Sequence, residues 1–404
     1  MKIALVDNMN NNFFASARYM RDLGYEVDLY VIPDAADHFH PRADTHQDVT
    51  QYEWVKLFPI PYKSVKTLFF GNGKLQIFQD YDIIVTCGYA TALLHRAGIT
   101  VDAFLPFGSD MYAAPYGNFF PDTIMGKMKR AIYMACVGRH MRAAIQKASL
   151  VITDLTNTTY RNALEQIGVT ATDASFPMVY NREKSPPISN PYDGFDFVVF
   201  SHTRQYWASN LDDLPDFDQY LGWKRNDKLI RAFASLVKAG EKAVSSPLLV
   251  LFEYGPDVDA SKQLIADLGI ADYVIWEKMQ PRKDILPKAM FAHVGCDQFR
   301  EGIPSRSGVT FEFASIGVPV LTHYLQQSHR QRELRHIINV LTEDDIYAAL
   351  LDLANNEARR QTIAAGMKDD FDRYFGIDCA RWLLTEFQAI LEQKTSGSQT
   401  QSAR

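Results

Sequence analysis

Within FAHVGCDQFREGIPSRSGVTFEFASIGVPVLT, residues 291–322, the small residues Ser305, Ser307 and Gly308 open a helix just past an apolar run. Unpaired backbone N–H groups at the positive end of a helix dipole can hold a phosphate. Glu312 follows about one turn later, on the face it shares with Ser305 and Gly308. A carboxylate there can accept hydrogen bonds from two vicinal hydroxyls, as on a ribose; an ordinary strand-loop-helix unit with a solvated glutamate is the other reading. Ser109 and Asp110, in FGSD (107–110), lie past a strand end, where doubly wound folds place ligands, although an aspartate also caps local turns. Asn10, Asn11 and Asn12 form a polar loop. Asparagine tolerates the left-handed backbone and offers side-chain hydrogen bonds, which suits a loop facing an acceptor or a phosphate as well as a plain turn. His38, His40 and His46 sit among four aspartates in residues 34–48, but their spacings match no standard metal-ligand set, and a polar loop without metal is expected.

These residues need strands to position them. Short apolar runs at 3–6, 27–32, 82–86, 101–106, 150–154, 174–179, 196–200, 248–252, 273–276, 291–295 and 318–322 read as buried parallel strands separated by helical patterns. Ser305 or Ser307 can cap the helix that carries Glu312; Val309, Phe313 and Ile316 share one of its faces, and Gly317 with Pro319 stops it. The proline-rich segment 181–193 reads as a linker. At 404 residues the chain is too long for one ordinary core, so two α/β domains are expected, over 1–180 and 194–376. A helix over 377–394 is followed by a tail from Thr395 that has no apolar anchor and is expected to be disordered.

The run GVTFEFASIGVPV, residues 308–320, resembles the donor-site helix of retaining glycosyltransferases of the two-domain GT-B fold with an E-x(7)-E motif (group 1, or family 4-like). The resemblance implies two Rossmann-like domains facing a cleft and transfer of a sugar from a nucleoside diphosphate donor to a glycan or lipid-linked acceptor. It also implies retention of anomeric configuration. Glu312 matches the second glutamate, which binds the ribose. The first glutamate's position is Pro304, and Glu301 is the nearest acid. Arg204, just after the strand at 196–200, matches the arginine that clamps the diphosphate. Lys224 matches the lysine of K-G-x-D-x-L-I-x-A-F, with Arg225 and Asn226 standing where the glycine would be. Lys278 and Met279 fall near the donor base, and the loops carrying Asn10, Asn11, Asn12, Ser109 and Asp110 fall on the acceptor side. Asp110, Arg204 and Lys224 are the residues expected to serve the reaction. A literal D-x-D, Asp216 to Asp218, lies in an acidic insert rather than after a strand, and reads as a solvated loop. An epimerase of the same fold, or a silent nucleotide-sugar or glycan-binding partner, would share much of this pattern.

Composition narrows the partners. A net charge of −6 argues against a general nucleic-acid binder. Four scattered cysteines suit a reducing cytosol without structural zinc, and MKIALVDNM reads as a strand rather than a signal peptide. A cytoplasmic protein needing no cofactor beyond its donor substrate is expected. Residues 124–147 contain six lysines and arginines, no acid, and apolar residues at helical spacing. That basic amphipathic helix could pack its apolar face on a sheet, or place the protein on an anionic membrane face.

Overall fold

The computed structural model describes residues 1–60, 72–209, 223–240, 244–302, 307–325 and 334–402. The predicted apolar runs form two all-parallel sheets. The first contains β1 (Lys2–Val6), β2 (Glu26–Val31), β3 (Val55–Leu57), β4 (Ile83–Thr86), β5 (Ala103–Phe104), β6 (Leu150–Thr153) and β7 (Thr172–Asp173), in the order β3-β2-β1-β4-β5-β6-β7. The second contains β8 (Phe197–Ser201), β9 (Pro247–Glu253), β10 (Val274–Lys278), β11 (Val294–Cys296), β12 (Val320–Thr322) and β13 (Ile338–Asn339), in the order β10-β9-β8-β11-β12-β13. Helices on both faces bury the central strands completely, which is why β4, β6 and β8 are apolar runs rather than alternating patterns. The strand order reverses between β1 and β4, and again between β8 and β11. Such switch points, at the carboxyl ends of the strands, are where open α/β sheets bind ligands.

Residues 1–180 with 375–404 form one compact unit, and residues 181–374 form the other. In the first unit the helix Ile377–Ser402 packs Ala380, Leu383, Phe387 and Ile390 into the core shared with Phe13, Tyr19 and β1. Lys394 on that helix reaches the buried Asp102 carboxylate at 2.7 Å. The helix runs on through Thr395 to Ser402, where the composition predicted a disordered tail; extending an existing helix costs far less than nucleating one. In the second unit Phe197, Val199, Leu229, Phe233, Leu249 and Leu251 belong to one core. Gly295 of β11 is a close-approach site, since a β-carbon there would lie 2.6 Å from the Phe313 ring.

Some predicted boundaries move. The strand expected at 174–179 is instead Thr172–Asp173, followed by irregular chain. Pro177 interrupts any ladder, and nearby carbonyls are satisfied by side chains: the Ser16 hydroxyl donates to the Pro177 carbonyl and Tyr19 to that of Val179. The edge strands β3 and β13 are too short to show a period in the sequence. The helix expected over 124–147 is two α-helical stretches, Ile124–Tyr133 and Arg139–Lys147, joined by a π-helical turn at Met134–Gly138.

Candidate functional site

The loops after β8 and β11 meet at the second unit's switch point. His202, Thr203 and Arg204 follow β8, and Asp297 and Gln298 follow β11. The segment 223–226 is clamped between them. The Lys224 N–H donates to the Tyr206 carbonyl at 2.8 Å, and the Phe299 N–H donates to the Lys224 carbonyl at 2.9 Å. Asn226 stitches the same junction, accepting from the Tyr206 N–H and donating to the Thr203 hydroxyl. Arg225 stands at φ 58°, the left-handed region that a glycine would occupy without strain. Asp257 accepts from the N–H groups of Trp207, Ala208 and Ser209, fixing the loop beyond Arg204.

This framework places two cations side by side. The Lys224 ammonium donates to Gln298 Oε1 at 2.9 Å and lies 4.0 Å from Asp297 Oδ1. Burial lowers its pKa below the usual lysine value, Asp297 pulls it back up, and the nearby Arg204 lowers it again. The Arg204 guanidinium sits 5.7 Å from the Tyr254 ring centre and has no carboxylate partner among the described residues. Next to these cations the helix Gly308–Ile316 begins at its N-cap Ser307, whose hydroxyl accepts from the Val309 N–H at 3.3 Å, and it ends at Gly317 in the left-handed conformation. Ser305 and Pro304 lie outside the described residues, as do Asp216 and Asp218.

Glu312 is held by more than solvent. Its Oε2 accepts from His202 Nε2–H at 2.6 Å and its Oε1 from Arg282 Nε–H at 2.7 Å, and all three side chains are largely buried. Burial pushes the carboxyl up, but Arg282 and His202 outweigh it and hold its pKa at about 2. The ionised carboxylate keeps a proton on His202 Nε2, and His202 Nδ1 is buried with no partner among the described residues. Each Glu312 oxygen keeps a further lone-pair direction with which to accept a hydroxyl.

The architecture recurs in solved structures. No protein-family model matches the sequence, and no curated protein matches it. HepE of Anabaena in complex with UDP superposes with a TM-score of 0.60, at 15% identity over 96% of this chain and 100% of that one. A glycosyltransferase from Rickettsia africae gives 0.58 at 12% identity over 96% and 98%. WaaG, a glycosyltransferase involved in lipopolysaccharide biosynthesis, gives 0.53 at 15% identity over 94% and 98%. The fold is the GT-B fold. At these identities the likeness covers the fold alone.

The first unit has a cavity at the β1/β4 switch point. Asp7, Ser109, Asp110, Tyr89, Phe107 and Phe39 help to line a cavity of about 280 Å³. Asp110 is 2% exposed; its carboxylate accepts from the N–H groups of Phe107 and Gly108 at Oδ1 and of Gly88 at Oδ2, which is also how a turn cap is built. Burial pushes its pKa up to about 7 against the pull of those donors, with Asp7 adding to the rise. Asp7 and the neighbouring Asn10 and Asn11 all have positive φ, a concentration of backbone strain typical of functional loops. Asn11 is spent on structure, donating to the His38 carbonyl and accepting from Asn8; Asn12 is buried at the start of its helix, and Asn10 is exposed. His40 Nδ1 accepts from the Arg42 N–H. Lys278 pairs with Glu253 and Met279 is exposed, and the segment after β10 also reaches Glu312 through Arg282.

Asp7, His202, Arg282, Asp297 and Gln298 were not predicted. Asp7 and Asp297 carry a signal that could have found them: each is the acid immediately after a buried strand at a switch point. His202 and Arg282 lie 110 and 30 residues from Glu312 in sequence, and no local pattern marks them.

Proposed function

We propose that this chain is a glycosyltransferase that moves a sugar from a nucleoside diphosphate sugar to a glycan or lipid-linked acceptor. The observation that carries the reading is the pair Arg204 and Lys224, brought together at a switch point where, among the described residues, Asp297 is the one carboxylate beside them. Adjacent cations repel, and a diphosphate would relieve that repulsion. Arg204, Lys224 and the N–H groups at Ser307 and Gly308 would hold the diphosphate, and Glu312 would accept from the ribose hydroxyls. As the bond from the anomeric carbon to the diphosphate oxygen breaks and a bond to the acceptor oxygen forms, those cations stabilise the charge on the leaving group. HepE was solved with UDP and with UDP-glucose, which supports a nucleotide sugar as the ligand class. The cavity at Asp110 and Ser109 is assigned to the acceptor side, and retention rests on the resemblance of residues 308–320. Two fixed cations and a helix N-terminus make a metal unnecessary, and release of nucleoside diphosphate from its sugar is expected to survive EDTA. Turnover lost in chelator and restored by manganese would bring Asp216 and Asp218 into the site; diphosphate binding without any transfer would leave a binding protein.

The same reading places the acceptor at a membrane. Along Ile124–Tyr133, the apolar residues Ile124, Met125, Met128 and Ile132 are 91%, 55%, 53% and 49% exposed, so packing on the sheet does not account for them. The second half of the segment supplies the buried apolar residues Val137, Met141 and Ile145. Lys127, Lys129 and Arg130 are exposed on the same helix, and each cation near an anionic leaflet contributes about 1 kcal/mol. Among the described residues no helix is long and apolar enough to cross a membrane, so we assign surface adsorption. Co-sedimentation with anionic vesicles is expected, with less on neutral ones and less again when Lys127, Lys129 and Arg130 become Glu. Equal pelleting in all three cases contradicts the assignment.

A further inference from the structure

Asp297 is the group that joins the two halves of the donor site, and this inference rests on the donor reading above. It is 1% exposed, directly after β11, with its N–H donating to the Leu321 carbonyl at 3.0 Å. The Ser307 hydroxyl lies 2.7 and 2.6 Å from its two oxygens, and the Thr310 hydroxyl donates to Oδ2 at 2.6 Å. On the other side, Oδ1 faces the Lys224 ammonium at 4.0 Å. One buried carboxylate therefore touches both the N-cap of the helix Gly308–Ile316 and Lys224, which lies far earlier in the chain.

We propose that Asp297 is a positioning residue that fixes the Lys224 ammonium and the first turn of the helix Gly308–Ile316 against each other, so that both address one diphosphate. A carboxylate is acceptor-only, so it consumes the hydrogens of both hydroxyls. That leaves the Ser307 oxygen free to accept from Val309 and keep the cap. Its charge serves the other half of the task. The groups facing Lys224 are Asp297 from the end of β11, Arg204 from the loop after β8 and the neutral Gln298. Burial and Arg204 both favour the neutral amine, and among the described residues Asp297 is the charge that favours the ammonium. Because Asp297 is buried, an incoming diphosphate adds to its charge instead of replacing it.

The test is titration of the full chain with UDP and with uridine from pH 6 to pH 10. In Asp297→Asn, UDP affinity is expected to fall by about tenfold or more, the scale of a lost charge-assisted contact. Uridine should change by less than about twofold, since the contacts assigned to it through Glu312 remain. The alkaline loss of UDP affinity should begin at lower pH than in the wild type, because the amine has lost its counter-charge. Parallel losses for UDP and uridine with no movement of the alkaline limb overturn the proposal and leave Asp297 a helix anchor only. If Asp297→Asn does not fold, Ser307→Ala with Thr310→Val cuts the helix link and keeps the charge pair. It is expected to weaken UDP selectively while leaving the alkaline limb in place; equal weakening of uridine overturns the proposal. A wild-type chain that binds none of UDP, GDP, ADP or dTDP refutes the donor reading itself.

Discussion

Replacing Glu312 by Ala is expected to destabilise the second unit by about 3–5 kcal/mol, the cost of leaving buried charge without its partner. The carboxylate sits between Arg282 and His202 with side-chain exposures of 12%, 17% and 5%, so water cannot substitute for it. Glu312→Gln should cost less, because the amide oxygen can still accept from one of the two donors. The pH dependence separates charge from shape. The folded-state pKa near 2 lies below the about 4.3 of an exposed glutamate, so the stabilisation is complete above about pH 4.3 and is lost as pH falls from there towards 2. The difference in unfolding free energy between wild type and Glu312→Gln, read by urea denaturation, should shrink over that window. A difference that stays constant down to pH 2 would show that the cluster is held by packing and not by ionisation.

Arg204→Ala should weaken a nucleoside diphosphate by about 1.5–3 kcal/mol, the range for a hydrogen bond to a charged group, with little effect on the free nucleoside. The fold should tolerate the change, since Arg204 is only partly buried and its one described contact is with the Tyr254 ring. Lys224→Met should cost at least as much in diphosphate binding. It also strands Asp297, so its stability falls too, whereas Arg204→Ala should leave stability within about 0.5 kcal/mol. Calorimetric titration of the diphosphate and its parent nucleoside against both variants measures the split. Equal weakening of nucleoside and diphosphate in Arg204→Ala would remove Arg204 from the phosphate site.

Much of the GT-B architecture is legible because a strand buried on both faces must be an apolar run, as β1, β4, β6, β8 and β9 largely are. The helix carrying Glu312 is equally readable, as its cap Ser307 and stop Gly317 are local chemistry. Arg225 shows where a pattern informs through its exception: the left-handed position that a glycine would fill is present, and an arginine occupies it. Long-range partnerships are a different matter. That Glu312 is held by His202 and Arg282, or that Ser16 and Tyr19 take over the hydrogen bonds of the segment around Pro177, depends on which loops the sheet order brings together. The basic amphipathic pattern over 124–147 read as one stripe, yet the π-helical turn at Met134–Gly138 separates a buried half from an exposed one.

Whether the β8/β11 switch point holds a nucleoside diphosphate is decided by a thermal-shift panel of nucleosides, nucleoside diphosphates and their sugars. A ligand present at 100 times its Kd stabilises the folded state by about 2.7 kcal/mol, enough to read in a chain of this size. At least one diphosphate series should raise Tm in the presence of EDTA, its nucleoside should raise it less, and Arg204→Ala should bring the two together. If no diphosphate or diphosphate sugar moves the wild-type Tm, the account of this site is wrong.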